Sequence, residues 1–205
     1  MRKVLLLDVD YTVIKTDSMI DFIVFSIKKD FRNSIIYIKS FFLIIAYIFK
    51  LKTIEEVKSS IFKYIEKMEE KDLKDFFEER LLTKIYPSMM EVIERAIKND
   101  YYIMMVTASP IAYMRYFEEF NLAHKVIGTE LVFENNRYKS TIVGLNCKGE
   151  EKVKRIKAIL KNENIEIDFR NSYAYSDSKS DLPMLSLVEN KFYVNKKNGK
   201  FTRVN

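Results

Sequence analysis

The sequence predicts an α/β fold, a doubly wound parallel sheet into which an all-helical segment is inserted after the first strand. Three observations predict it. The runs KVLLLDV (3–9), YYIMMV (101–106) and NSYAYS (171–176) are short and rich in aliphatic or aromatic residues, as in strands buried on both faces of a parallel sheet. Helical patterns separate the second run from the third. Residues 15–86 show no strand alternation and contain neither Gly nor Pro, which predicts a helical insertion of roughly 70 residues.

The elements follow in order. The first strand ends at Asp8 and Asp10. The insertion repeats apolar residues every three or four positions, most clearly in IEEVKSSIFKYIEKMEEKDLKDFFEERLL. Pro87 suits the first turn of a helix that returns the chain to the core, which is expected to comprise residues 1–14 and 87–205, with residues 15–86 as a lid or cap. The second strand leads to Thr107, Ala108 and Ser109, and a helix is expected over 110–120. In VIGTELVFENNRYKSTIVG, Asn135 and Asn136 suit the turn of a hairpin. GEEKVKRIKAILKNE places Val153, Ile156, Ile159 and Leu160 at helical spacing. The third strand ends at Asp177 and Asp181, just before a helix start marked by Pro183.

Composition narrows the function classes. With 48% apolar and 31% charged residues, the chain has the make-up of a folded domain. The charge of +6 arises from 35 basic residues interspersed with 29 acidic ones. No basic block stands apart, so nucleic-acid binding has little support. Cys147 is alone, which rules out an intrachain disulfide. VLLL is cut short by Asp8, well below the length of a signal-peptide core, and a cytoplasmic setting is expected.

The polar strand ends carry the chemistry. In open α/β sheets, sites lie at the carboxyl ends of strands. Asp8, Asp10, Asp177 and Asp181 gathered there would repel one another unless a hard cation sat among them. Mg²⁺, which takes oxygen ligands and keeps waters and substrate phosphate, suits such a site. His124 and Cys147 are the only residues of their kinds, which leaves zinc without ligands. One carboxylate can serve as a nucleophile and form an aspartyl-phosphate, while a second donates a proton to the leaving alcohol and then activates water. The segment Thr107-Ala108-Ser109 offers hydroxyl and backbone N–H groups to phosphate oxygens, and Lys152, in the helix after Gly149, can spread the developing charge. The plainer alternatives are helix caps for the aspartates, a solvated helix position for Lys152, and structural roles for His124 and Cys147.

Taken together, DVDYTV, TAS, GEEK and YSDSKSDLPML resemble, in order and spacing, the four motifs of the haloacid-dehalogenase-like phosphatases. The likeness spans the chain and places the insertion where relatives carry a type 1 helical cap. The wording is most similar to subfamily IB, the relatives of phosphoserine phosphatase. The resemblance implies Asp8 as nucleophile and Asp10 as general acid/base, with the Asp10 backbone carbonyl and Asp177 on Mg²⁺. It also implies Asp181 nearby, holding waters or the lysine, Thr107 on the phosphoryl group, and Lys152 as the motif lysine, with Lys148 as the alternative. Tyr11 stands where relatives have a small residue, so its ring is expected to face away from the phosphate or to narrow the entrance. Asp17 is the candidate acid for an amine-bearing phosphomonoester such as phosphoserine, phosphocholine or phosphoethanolamine. Arg32 and Arg80 are the only arginines in the cap.

One segment stands outside this scheme. SIIYIKSFFLIIAYIFK (34–50) is apolar except chiefly at Lys39 and Ser40, and is flanked by Lys28, Lys29, Arg32, Lys50 and Lys52. It is shorter than a comfortable span of about 20 residues. Burial among the cap helices or against the sheet is the leading expectation, with a dimer contact or a membrane-surface anchor as the others. In the last case the chain is either directed to lipid phosphates or is a non-catalytic docking module.

Overall fold

The computed structural model describes residues 1–204. Its centre is a six-stranded sheet in the order β3-β2-β1-β6-β7-β8, formed by β1 (Val4–Leu7), β2 (Tyr102–Pro110), β3 (Lys125–Thr129), β6 (Tyr173–Ser176), β7 (Asn190–Val194) and β8 (Phe201–Arg203). All neighbours are parallel except β7 and β8. β1 shows why its sequence runs apolar without alternation. Leu5 and Leu7 join one core together with Met89 and Ile93 of α5 (Pro87–Lys98), whereas Val4 and Leu6 join a second core with Ile156 and Leu160 of α8 (Glu150–Asn162). Both faces are covered, so both are apolar.

From β1 the chain proceeds to β2 and β3 on one side, then returns to β6 and β7 on the other. The direction therefore reverses at β1, and the crevice at the carboxyl end of such a switch-point strand is where ligands bind in open α/β sheets. Asp8 is the first residue past that end.

The insertion holds α1 (Ser18–Lys29), α2 (Ser34–Ile48), α3 (Ile54–Ile61) and α4 (Glu70–Phe76), with 3₁₀ segments at Phe31–Asn33 and Phe62–Lys67 and further short helical turns after α4. Its two stems are tied together, Lys15 N–H donating to the Lys84 carbonyl (3.0 Å) and Tyr86 N–H to that of Val13 (3.0 Å). Aromatic rings seal its base to the core: Phe22 stacks on Tyr113, and Phe76 meets the same ring edge-on at 5.0 Å. Asp21 of α1, 4% exposed, binds Arg80, Lys84 and Thr16 and so fixes the two ends of the insertion to each other.

Four expectations need correction. VIGT does not belong to the hairpin: Lys125–Thr129 is the edge strand β3, and the hairpin is β4 (Leu131–Glu134) with β5 (Arg137–Ile142), turning at Asn135 and Asn136, both at positive φ. The helix over 110–120 is two short ones, α6 (Ile111–Met114) and α7 (Tyr116–Glu119). β2 extends beyond Val106 through Pro110, with a register shift against β3.

The largest difference concerns α2, which is not buried. Only Ser40 of this helix is fully inside, its Oγ meeting Ser60 Oγ (2.8 Å), while Tyr37 bonds to Ser26 and packs with Leu43 partly against the core. Ile35, Ile38, Phe41, Phe42 and Ile48 are all more than half exposed. Its packed stripe is too narrow to cover a helix that is apolar on every side.

Candidate active site

Two backbone devices bring the acidic residues together. After β1, the N–H groups of Thr12, Val13 and Ile14 all bond to the Val9 carbonyl, and Tyr11 adopts φ 58° between them. This tight turn keeps Val9 in the core and aims Asp8 and Asp10 into one cleft. Across the crevice, Gly149 (φ 57°) caps α8, so that Lys152 in the first turn points down onto the sheet.

Lys152 is 2% exposed, and its Nζ donates to Asp8 Oδ1 (2.6 Å) and Asp181 Oδ2 (2.8 Å). Ser176 Oγ donates to the same Asp181 oxygen at 2.7 Å. The buried Thr12 hydroxyl lies 3.1 Å from Asp8 Oδ2 and 3.5 Å from Asp177 Oδ1, and it accepts the Asp177 N–H at 2.9 Å. Burial pushes the Asp8 carboxyl up to about 7; Lys152 pulls it down, and Asp181 and Asp177 add to the rise. Burial also opposes the charge on Lys152, but its two carboxylates outweigh that and hold it above an ordinary lysine. The lysine thus stays charged, and two buried carboxylates, Asp8 and Asp181, share one ammonium.

Asp10 is held differently. Its Oδ1 accepts the Ser18 N–H (2.8 Å), and its Oδ2 accepts the Ser109 hydroxyl (2.7 Å), with the Thr107 hydroxyl at 3.5 Å. Burial raises its carboxyl above the usual range. Thr107 and Ser109, expected at the phosphate, have their hydroxyls turned onto Asp10, and of that segment Ala108 lines the cleft.

The cleft measures about 390 Å³ and is bounded by Asp8, Asp10, Asp17, Asp177 and Asp181, by four lysines, and by Tyr47 and Ile54 of the cap. Lys152, not Lys148, reaches Asp8; Lys148 lines the wall. Asp17 lines it too, while one of its oxygens caps α1 through Met19 N–H and Ile20 N–H. Tyr11 lines the cleft beneath Lys196, whose Nζ lies 4.9 Å from the ring and 2.8 Å from Asp177 Oδ2. Arg80 is committed to Asp21 and Arg32 to Asp30, and neither lines the cleft. His124 accepts the Ile103 N–H, and Cys147 is buried, as expected of structural residues.

The four aspartates do not form a single metal cage, and no cluster of three or more His, Cys, Asp or Glu is arranged as one among the described residues. The reason is visible in their partners: the Asp10 carboxylate is taken by Ser18 and Ser109, and Asp181 by Lys152 and Ser176. Asp8 and Asp177 stand one on each side of the Thr12 hydroxyl, Asp8 also held by Lys152 and Asp177 by the exposed Lys196. Two carboxylates with a backbone carbonyl and waters make a donor set suited to Mg²⁺.

Sequence reasoning missed Lys58. From α3 it crosses to the core, donating to the Ala108 carbonyl (2.8 Å) and Asn146 Oδ1 (2.8 Å), and burial lowers its ammonium to about 8. Nothing local distinguishes it from the other lysines on amphipathic helices of this chain. Ser18 and Lys196 were likewise unmarked.

The model of the haloacid dehalogenase-like hydrolases matches residues 5–186, which takes in all four motifs. The chain belongs to that family. Among solved structures, this hydrolase is similar in fold to a protein with unknown function from Bordetella pertussis Tohama I, at 20% identity and TM-score 0.82, covering 95% of this chain and 91% of that one. A substrate-bound phosphoserine phosphatase complex matches at 12% identity and TM-score 0.63, over 93% and 85% of the two chains. A phosphoserine phosphatase from T. onnurineus matches at 15% and 0.55, over 95% and 84%. No curated protein matches the hydrolase in sequence.

Proposed function

We propose that this hydrolase is a Mg²⁺-dependent phosphomonoesterase that works through a phosphorylated Asp8. The observation that carries the reading is the pinning of both Asp8 oxygens, one by Lys152 and one by Thr12, at the floor of a cleft where Asp10 stands beside them. Fixed in this way, the carboxylate can approach phosphorus in line without first searching for a rotamer. An Asp8 oxygen forms the new bond to phosphorus as the ester P–O bond breaks, and Asp10 gives its proton to the departing alkoxide. In the second half, Asp10 takes a proton from water as the water oxygen bonds to phosphorus and the aspartyl oxygen is released, yielding phosphate and free Asp8.

Burial raises the proton affinity of Asp10, the direction a general acid needs, and Ser18 and Ser109 fix the aim of its carboxyl. Lys152 faces the charge that grows on the transferred oxygens, and Lys58 adds a second cation at the wall. Mg²⁺, held by Asp8, Asp177 and the Asp10 backbone carbonyl, would add positive charge beside Lys152 where Asp8, Asp177 and Asp181 gather. A fold neighbour described as a phospho-aspartyl intermediate analogue of phosphoserine phosphatase, at 15% identity and TM-score 0.60, supports the same intermediate.

Recognition of the leaving alcohol falls to Asp17, Lys58, Lys148, Tyr47 and Ile54. The test is phosphate release from p-nitrophenyl phosphate with Mg²⁺: Asp8→Asn is expected to abolish it while circular dichroism remains native. Turnover surviving in that variant would remove Asp8 as nucleophile.

A further inference from the structure

Helix α2 presents to solvent a face that a water-soluble domain ordinarily hides. Ile35, Ile38 and Phe42 are 59%, 57% and 65% exposed, and Phe49 and Leu51 continue the patch at 71% and 75%. The stretch Phe31–Ile48 is long and apolar enough to cross a membrane by length and composition, and only 11% of it is buried. Ser40 and Tyr37 bond into the cap, while Lys39 stays on the solvent side with the apolar residues. The helix is thus inverted relative to an ordinary surface helix.

Charge indicates what covers this face. No acidic residue occurs between Phe31 and Ile54, whereas Arg32, Lys39, Lys50 and Lys52 fall within that stretch and Lys28 and Lys29 just before it. Lys28, Lys39 and Lys50 are exposed and have no carboxylate partner among the described residues. Two copies meeting through this face would set like charges against each other, whereas an anionic bilayer would complement them. Lys39 lies in the middle of the helix and Ser40 is anchored to the cap, which suits a helix lying in the interface rather than one passing through the bilayer. The carboxyl end of the same helix reaches the site, since Tyr47, and Ile54 just beyond it, line the catalytic cleft.

We propose that α2 docks the cap on an anionic lipid surface and that the substrate is a phosphomonoester carried by a membrane lipid, its apolar part remaining beside Tyr47 and Ile54 while its phosphate reaches Asp8. The substrate half of this proposal rests on the phosphomonoesterase reading above; the docking half does not.

Flotation with vesicles of phosphatidylcholine and phosphatidylglycerol tests docking, and the same vesicles carrying phosphatidic acid test the substrate. Wild type is expected to float, and binding should weaken as salt is raised. The combined variant Ile35→Glu, Ile38→Glu, Phe42→Glu should lose vesicle binding and release phosphate from phosphatidic acid about tenfold more slowly or worse, with p-nitrophenyl phosphate turnover unchanged. Lys39→Glu with Lys50→Glu, which leaves the apolar face intact, should also weaken flotation. Wild-type protein that stays in the soluble fraction, or a triple variant that floats like wild type, overturns docking; a wild-type dimer broken by the triple variant, without flotation, assigns the face to a second copy instead. Wild type that floats and cleaves p-nitrophenyl phosphate but not phosphatidic acid overturns the lipid substrate. Wild type that floats and cleaves neither ester leaves docking standing and removes the hydrolase reading.

Discussion

Lys152 Nζ sits 2.6 Å from Asp8 Oδ1, and this contact joins residues 144 apart in sequence inside the core. Because the same ammonium holds Asp181, its removal leaves two buried carboxylates facing each other without a counter-charge. Lys152→Met is expected to cost about 3–5 kcal/mol of stability through the broken buried pair, and to lower kcat by about 10²–10³ through loss of charge at the phosphoryl group. Thermal melts and steady-state kinetics check both; a variant with native Tm and kcat would show the contact to be incidental. Lys148→Met, which leaves the pair intact, should affect kcat far less.

How much of this was legible beforehand depends on the kind of signal. β1 was readable because its neighbours cover both faces, which forces an unbroken apolar run, and Asp8 then stood out against it. Asn135 and Asn136 were readable because the turn needs positive φ, which asparagine tolerates. The role of Lys58 was not, because an amphipathic lysine looks the same whether its ammonium meets water or the Ala108 carbonyl. The exposure of α2 was equally hidden: the rule that an apolar helix must be covered gives no indication of what covers it. The division of labour among the aspartates lay in partners such as Ser18 and Ser176, whose residue types carry no mark.

Lys58 gives the site a basic limb in its pH profile. Its ammonium titrates at about 8 because burial disfavours the charge, so the cleft loses a cation as pH rises through that value. The kcat/KM for an anionic phosphomonoester, which reports the free enzyme, should fall above about pH 8. Lys58→Arg keeps the charge and should flatten that limb, whereas Lys58→Gln should be low, by about tenfold, throughout the range. An unchanged limb in the arginine variant would assign the titration to another group.

Asp21 should make the cap sensitive to acid. Burial alone would raise its carboxyl, but hydrogen bonds from Lys84, Thr16 and Arg80 outweigh this and hold it below the ordinary value. A carboxylate depressed in the folded state contributes stability above its unfolded pKa of about 3.9 and loses it as pH falls further. Asp21→Asn is therefore expected to destabilise the protein at pH 7 by about 1–3 kcal/mol, the cost of weakening buried charge-assisted bonds. The gap from wild type should close as pH drops below about 4. Denaturant melts at several pH values check this, and a constant gap down to pH 2 would exclude Asp21 as the titrating group.

Added Mg²⁺ should stabilise the folded chain, because the carboxylates that would hold it are brought together only by folding. A cation that binds the native state alone adds RT ln(1 + [Mg²⁺]/Kd), about 2.7 kcal/mol at a hundredfold excess over Kd. Asp177 is the residue on which to test this, since it stands across the Thr12 hydroxyl from Asp8 and its carboxylate otherwise meets Lys196. Asp177→Asn should remove most of the Mg²⁺-dependent rise in Tm. Asp181→Asn should keep a larger share of it, because that carboxylate is committed to Lys152 and Ser176. If the two variants lost the rise equally, the separation of metal-holding from lysine-holding aspartates would be wrong, and the four would act as one cluster.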